Sequence, residues 1–150
     1  GIARTSQPLS TVINIPVGGR ALLRISQLNI TEYQTLATLG IPMKVIGWNA
    51  RQLRDQDGNS TAYFTNSITT GGGESADVIL DACMTRAANG TCTSAGYTAG
   101  QKFYLYTPQL DHLSNDAENF GGQMTEINIC DTVDPVTKQC KVGTSVAGNF

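Results

Sequence analysis

The chain has 150 residues, of which 40% are hydrophobic and 15% are charged, and its formal net charge is −2. The charged share lies below the roughly 25% of an average soluble protein, so Thr, Ser, Asn, Gln and Gly must cover much of the surface. The small net charge gives no electrostatic basis for binding nucleic acid or anionic lipid. No apolar run approaches the roughly 20 residues of a membrane span, so we expect no membrane insertion.

The first third of the chain predicts β-strands. Hydrophobic and polar residues alternate over residues 10–15, which end at Pro16, and again over residues 21–28. Residues 32–39 are ambiguous, but their short length and the Gly-Ile-Pro that follows favour a strand. Residues 44–48 are typical of a buried strand, which ends at Trp48, the largest anchor available to a core. The opening residues lack signal-peptide features and fit either a processed protein or a fragment.

The same pattern continues to residue 130. Residues 54–59, Arg-Asp-Gln-Asp-Gly-Asn, predict a tight turn. Two further strands are predicted at 62–69 and 75–82, joined by a run of three glycines. Residues 83–100 are the least regular part. The aromatic and branched residues of 102–106 predict a strong strand, and 124–130 form the last regular strand of the core.

About eight strands at short, regular intervals predict an all-β sandwich or barrel. No repeat, linker or low-complexity tract divides the chain. We therefore predict one domain over residues 1–150, with its core at about 9–130. A C-terminal disulfide loop and a polar tail would occupy 131–150.

The four cysteines lie as two short pairs, Cys83 with Cys92 and Cys130 with Cys140. Three pairings are possible, and local pairing is the simplest because a hairpin brings its two ends within disulfide reach. Each closed loop would stabilise the fold by about 2–4 kcal/mol. The alternatives are reduced core thiols or a zinc site, although zinc would lack a Cys-x-x-Cys motif and further histidines. Disulfides predict an extracellular, cell-surface or periplasmic location.

Several candidate sites lack part of the residue pattern that their chemistry requires. The three glycines before Glu74 lack the Gly-Lys-Ser/Thr and the helix of a phosphate loop. Asp55, Asp57 and Asn59 lack the distal Glu of a calcium loop. Asp111, His112 and Ser114 resemble parts of a hydrolytic triad without its Gly-x-Ser-x-Gly turn. Blue copper requires two histidines, and this chain has only His112. The sequence thus predicts no catalytic residue, no metal site and no cofactor.

Three N-glycosylation motifs are present, at Asn29, Asn59 and Asn89. In a chain rich in Ser, Thr and Asn, such triplets arise readily by chance. They matter only in a host that glycosylates.

Several segments resemble the middle domain of the multicopper oxidases. Residues 18–26, Gly-Gly-Arg-Ala-Leu-Leu-Arg-Ile-Ser, are similar to a turn and strand of that family. Residues 40–47, Gly-Ile-Pro-Met-Lys-Val-Ile-Gly, match its small–apolar–Pro–Met–x–Val–Ile–Gly strand, and 66–79 resemble the hairpin that follows. Residues 102–106, 110–118 and 120–127 look like the closing strands of the same domain in bacterial members. The match is collinear and covers roughly residues 9–130.

This resemblance implies a Greek-key cupredoxin-like β-sandwich, here with disulfide-pinned loops. In three-domain multicopper oxidases, copper lies in the first and third domains, and the middle domain typically has no copper ligands. The lack of a His-x-His motif in this chain agrees with that role. The two cysteine loops and the polar tail depart from the family pattern.

Our first functional prediction is a non-catalytic extracellular structural or assembly module, such as a repeating subunit. Its N-terminal strand, with Leu9, Val12, Ile13 and Ile15, would add to the sheet edge of a neighbour. The partners would be copies of the chain or flanking oxidase domains. The alternative is a middle domain or fragment of a laccase-like multicopper oxidase with copper sites on other domains. A third reading is a glycan- or surface-binding sandwich that uses Trp48 and the tyrosines. In none of these would the chain be an enzyme on its own.

Overall fold

The computed structural model describes residues 11–114 and 121–143 and the backbone of 145–146. These residues form β-strands and turns, with one short 3-10 turn at Leu110–His112. No helix in this described part has the length and hydrophobicity that a membrane span requires. The strands are β1 (Ile13–Pro16), β2 (Arg20–Ser26), β3 (Gln34–Leu39), β4 (Met43–Trp48), β5 (Arg51–Gln52), β6 (Tyr63–Thr65), β7 (Ser67–Thr70), β8 (Ser75–Asp81), β9 (Thr85–Arg86), β10 (Cys92–Ser94), β11 (Lys102–Tyr106), β12 (Met124–Cys130), β13 (Thr132–Val133), β14 (Cys140–Val142) and β15 (Ser145–Val146).

Two sheets make up the body of the domain. Sheet A has the strand order β1-β12-β11-β3-β7. Sheet B has the order β2-β8-β4-β5, and β6 also pairs with β4. β1 runs parallel to β12, whereas the other pairs in both sheets are antiparallel.

The core lies between the two sheets, and more buried residues alternate with less buried ones along β2, β4 and β8. β8 shows the pattern most clearly, since Ala76, Val78 and Leu80 are buried and the residues between them are half-buried. Ile15 and Ile127 from sheet A join them in one cluster. Trp48 packs against this cluster without being fully buried. Together these contacts form a face-to-face β-sandwich, as predicted.

The segment predicted as one strand over 62–69 is two strands that belong to different sheets. β6 pairs with β4 of sheet B, and β7 pairs with β3 of sheet A. The chain changes sheet at Asn66, whose carbonyl accepts a hydrogen bond from the Thr38 N–H at 2.8 Å. Thr65 stabilises the corner, because its hydroxyl donates to the Ser67 carbonyl at 2.9 Å. The prediction of a single strand was wrong because alternation alone does not show where a strand leaves its sheet.

The two cysteine loops are more regular than the sequence suggested. The first contains the hairpin of β9 and β10, and the second leads into a small sheet of β13, β14 and β15. Each loop is closed by its own disulfide, Cys83–Cys92 and Cys130–Cys140, with Cα–Cα distances of 5.9 and 5.4 Å.

Candidate functional site

The first disulfide loop is held against the sandwich by Arg86. Its guanidinium donates to both carboxylate oxygens of Asp81, at 2.7 and 2.6 Å. It also donates to the carbonyls of Gly90 at 2.9 Å, Gly18 at 2.7 Å and Gly19 at 3.2 Å. The hydrogen bonds to Asp81 raise the pKa of Arg86 above its ordinary value. One side chain therefore joins β8, the loop and the turn between β1 and β2.

A groove of about 460 Å³ lies beside this loop. It is lined by Pro42, Lys44, Phe64, Asp81, Cys83, Met84, Arg86 and Tyr97. The Lys44 Nζ lies 5.7 Å from the centre of the Phe64 ring, within the range of a cation–π contact. Arg86 neutralises Asp81, so the groove combines one ammonium group with apolar and aromatic walls. Such a groove is suited to binding an apolar group rather than to acid–base chemistry.

The predicted assembly strand lies only partly in the described residues, because Leu9 is outside them. Val12 and Ile13 are half-buried, and Ile15 is fully buried in the core. β1 pairs with β12 along its whole length, from Ile13 opposite Ile127 to Pro16 opposite Cys130. This strand is thus part of its own domain. Its role in assembly stays a prediction.

The outer edge of β1 offers few hydrogen-bonding groups to a neighbour. The Val17 N–H donates to the Cys130 carbonyl at 2.8 Å, so alternation directs the backbone groups of Asn14 and Pro16 towards the outer edge. Pro16 has no N–H, and its carbonyl accepts the Gly19 N–H at 2.7 Å. The Asn14 side chain donates to the Lys138 carbonyl at 2.8 Å, and β13 and β14 also contact β1. The second disulfide loop therefore lies against β1 and holds the Asn14 side chain.

The structure places His112 among acceptors rather than in a triad. Its Nδ1 lies 3.2 Å from Gln34 Oε1, and its Nε2 lies 3.7 Å from Glu32 and 3.6 Å from Asp111. Both ring nitrogens thus face groups other than Ser114. Within residues 11–114 and 121–143, no group of three or more His, Cys, Asp or Glu side chains could hold a metal ion.

The turn considered as a calcium loop uses its acidic side chain to bind its own backbone. Asp55 Oδ1 accepts the N–H groups of Asp57 and Asn59, at 3.0 and 2.8 Å, and Oδ2 accepts the Asn59 side-chain amide at 3.1 Å. These hydrogen bonds, that of the Asn59 side chain first, lower the pKa of Asp55. The carboxylate stabilises an Asx turn, since N–H donors occupy the positions that a cation would need.

Trp48, the residue proposed for glycan binding, is half-buried and hydrogen-bonded. Its indole N–H donates to the Tyr63 hydroxyl at 3.0 Å. It lines a shallow groove of about 150 Å³ with residues of β5 and the following turn. The glycosylation motifs differ in geometry: Asn29 and Asn89 each accept the N–H of the Thr two residues later, whereas Asn59 donates its amide to Asp55.

Sequence reasoning missed Arg86, the pairing of Lys44 with Phe64 and the position of β2 at the edge of sheet B. An arginine inside a short cysteine loop was a signal for the first, because such loops require internal hydrogen bonds. The other two depend on which strands become neighbours, and nothing local in the sequence gives that.

The two packed sheets, their strand order and the disulfide loops define an all-β protein with a cupredoxin-like fold. No family model and no curated protein sequence matches this chain. Multicopper oxidases are among the solved structures that it resembles. The multicopper oxidase mgLAC is 16% identical, with a TM-score of 0.59 over 83% of this chain and 33% of that chain.

Two further structures give the same result. The blue copper oxidase from Nitrosomonas europaea is 18% identical, with a TM-score of 0.56 over 89% of this chain and 36% of that chain. A multicopper oxidase from Pseudomonas thermotolerans is 16% identical, with a TM-score of 0.52 over 86% of this chain and 24% of that chain. The chain is therefore similar to one cupredoxin-like domain of these proteins, and it spans 33%, 36% and 24% of the length of the three chains.

Proposed function

We propose that this chain is a non-catalytic structural module that acts through its surface in a protein related to multicopper oxidases. One observation carries the proposal. All four cysteines are in disulfides and the chain has a single histidine, so neither the thiolate nor the two imidazoles of a blue-copper site are available. The fold resembles that of copper oxidases, but the chain lacks the residues that would bind a blue-copper ion. On this proposal the chain has no cofactor of its own, and copper lies on other domains, as expected for the middle domain of a three-domain oxidase.

The two disulfides support a location outside the reducing cytoplasm, at the cell surface, in the medium or in a periplasm. In such a setting the loops stiffen a domain that has few charged groups on its surface. The partners we propose are proteins: flanking oxidase domains or further copies of the chain.

The test is copper binding by the natural full-length gene product and by this chain, measured by elemental analysis after extensive dialysis. We expect copper on the full-length protein and none in stoichiometric amount on the 150-residue chain. The variant His112→Ala serves as the control, because it removes any weak copper bound to the one histidine. Stoichiometric copper that survives in His112→Ala would contradict the proposal.

A second candidate is a repeating subunit of an extracellular assembly, and the outer edge of β2 favours it because no strand in the described residues pairs with it there. A full-length product without any copper-binding domain would favour this candidate. Light scattering coupled to size exclusion, followed by electron microscopy, should then detect ordered oligomers of the isolated chain. A strictly monomeric chain would rule it out.

A further inference from the structure

β2 is a regular strand at the edge of sheet B. It pairs with β8 over seven residues, from Arg20 opposite Asp81 to Ser26 opposite Ser75, without a shift in register. Ala21, Leu23 and Ile25 pack against the core, and the residues between them are exposed. On its other side, no strand in the described part of the chain pairs with it.

The hydrogen bonds at the two ends of β2 show which backbone groups point outward. The Ala82 N–H donates to the Gly19 carbonyl at 3.0 Å, and the Gln27 N–H donates to the Glu74 carbonyl at 3.0 Å. In an antiparallel ladder every second residue bonds to the partner strand. The odd-numbered residues from 19 to 27 therefore bond to β8. The N–H and C=O groups of Arg20, Leu22, Arg24 and Ser26 point to the outer edge.

This edge lacks most of the devices by which proteins prevent strand addition. It contains no proline and no bulge, and no loop in the described residues bonds to it. The outward residues do carry two cations, and the Leu22 side chain between them is 52% exposed. The Arg24 side chain is 80% exposed, and its guanidinium lies 3.9 Å from the Asp77 carboxylate, which offsets its positive charge only weakly.

The charges select the type of strand that can pair there. Two copies that paired through β2 about Leu22 would place Arg20 opposite Arg24 of the other copy, twice in each dimer. Like charges directly opposite each other destabilise a strand pair. A strand with acidic residues at those two positions and an apolar residue between them would instead match both cations and cover Leu22.

We propose that β2 is a strand-addition site for an extended acidic segment of a partner protein, with the pattern acidic–x–apolar–x–acidic. This inference rests on the proposed role of the chain as a contact module and names one of its contact surfaces. The two fail separately, because copper analysis does not involve β2 and strand addition does not require copper elsewhere.

The test uses the whole chain and two blocked heptapeptides, Thr-Glu-Thr-Val-Thr-Glu-Thr and Thr-Lys-Thr-Val-Thr-Lys-Thr. Both are palindromic, so either strand direction places their charges opposite Arg20 and Arg24. NMR titration at low salt should give about tenfold or more tighter binding of the glutamate peptide, and added salt should reduce the difference. Bound peptide should slow the amide exchange of Leu22 and Arg24. The amides of Ala21, Leu23 and Ile25 should already be slow.

Two variants make the test specific. Arg20→Glu with Arg24→Glu should reverse the preference, so that the lysine peptide binds more tightly. Leu22→Pro should abolish binding of both peptides, since it removes an outward N–H and leaves the β2–β8 ladder intact. Leu22→Val keeps that N–H and is the matched control. Thermal unfolding of each variant verifies that it folds.

Equal affinity for the two peptides, or a preference that the charge swap leaves unchanged, would overturn the proposal. Slow exchange of the Leu22 and Arg24 amides in the isolated chain would also overturn it, because the edge would then be covered already. If that slow exchange grows with protein concentration, the occupant is a second copy instead of an acidic partner.

Discussion

β1 and β2 follow each other in the chain, and each is an outer strand of its sheet, yet their outer edges are very different. The edge of β1 carries Pro16, and the second disulfide loop lies against this strand, where the Lys138 carbonyl accepts a hydrogen bond from the Asn14 side chain. The edge of β2 has neither a proline nor a covering loop in the described residues. The first disulfide loop binds next to β2, but its Arg86 donates hydrogen bonds to the carbonyls of Gly18 and Gly19 in the preceding turn and not to β2 itself. The comparison teaches that, within the described residues, the added loops contact one of these strands and leave the outer edge of the other without a covering loop.

The largest difference between the two strands should appear when a core side chain is removed. Ile15 of β1 is fully buried, so Ile15→Ala should lower the free energy of unfolding by about 2–5 kcal/mol. Leu22 of β2 is half exposed, and Leu22→Ala should change it by about 0.5 kcal/mol. Urea unfolding measures both. Equal losses would mean that Leu22 is covered in solution.

Removal of each disulfide should separate its effect on stability from its effect on the contact between the second loop and β1. Replacing Cys130 and Cys140 by Ser, or Cys83 and Cys92 by Ser, should cost about 3 kcal/mol in either case, because the loops are similar in length. Only the loss of Cys130–Cys140 should speed the exchange of the Asn14 side-chain amide, since this amide donates to the Lys138 carbonyl in the second loop. Equal exchange rates in the two variants would show that the second loop does not hold this side chain.

Arg86→Lys should destabilise the first loop by about 1–3 kcal/mol. Lysine keeps the charge but cannot donate in a fork to Asp81 and also reach the two glycine carbonyls. Arg20→Lys is the matched control on an exposed arginine, and we expect it to change the free energy of unfolding by less than about 0.5 kcal/mol. If the two variants unfold alike in urea, the Arg86 network does not hold the loop.

The smallest effect should be the pH dependence of the second loop. The N–H groups of Thr137 and then Val136 lower the pKa of Asp134 from 3.8 to about 2. Because the folded pKa lies below the unfolded one, Asp134 stabilises the fold fully above pH 3.8. That contribution is lost as the pH falls through about 2.

Asp134→Asn should therefore flatten the dependence of the thermal midpoint on pH between these two values. Lys141→Met is the control, since the Lys141 hydrogen bond affects this pKa less than the backbone N–H groups do. A profile of Asp134→Asn that matches the unchanged chain would show that the turn does not depend on this charge.

The fold could be predicted from the sequence largely because hydrophobic and polar residues alternate along several of its strands. The pattern of β8 identifies its buried face directly, and the segment from Gly40 to Gly47 resembles a strand of proteins with the cupredoxin-like fold. Local patterns could not give the change of sheet at Asn66, which depends on pairing partners far apart in the chain. The same limit applies to the surface. The alternation over Arg20–Ser26 was visible, but only the strand order shows that β1 and β2 each have one neighbouring strand in the part of the chain that the structure describes.

The change of sheet at Asn66 has a consequence for folding kinetics. One segment of eight residues, from Tyr63 to Thr70, supplies a strand to each sheet, so neither sheet can detach without pulling strands from the other. Pairing also joins distant positions, such as Ile13 with Ile127. Topologies dominated by such contacts fold slowly, on the order of milliseconds to seconds. We therefore expect both sheets to form and unfold in a single cooperative step.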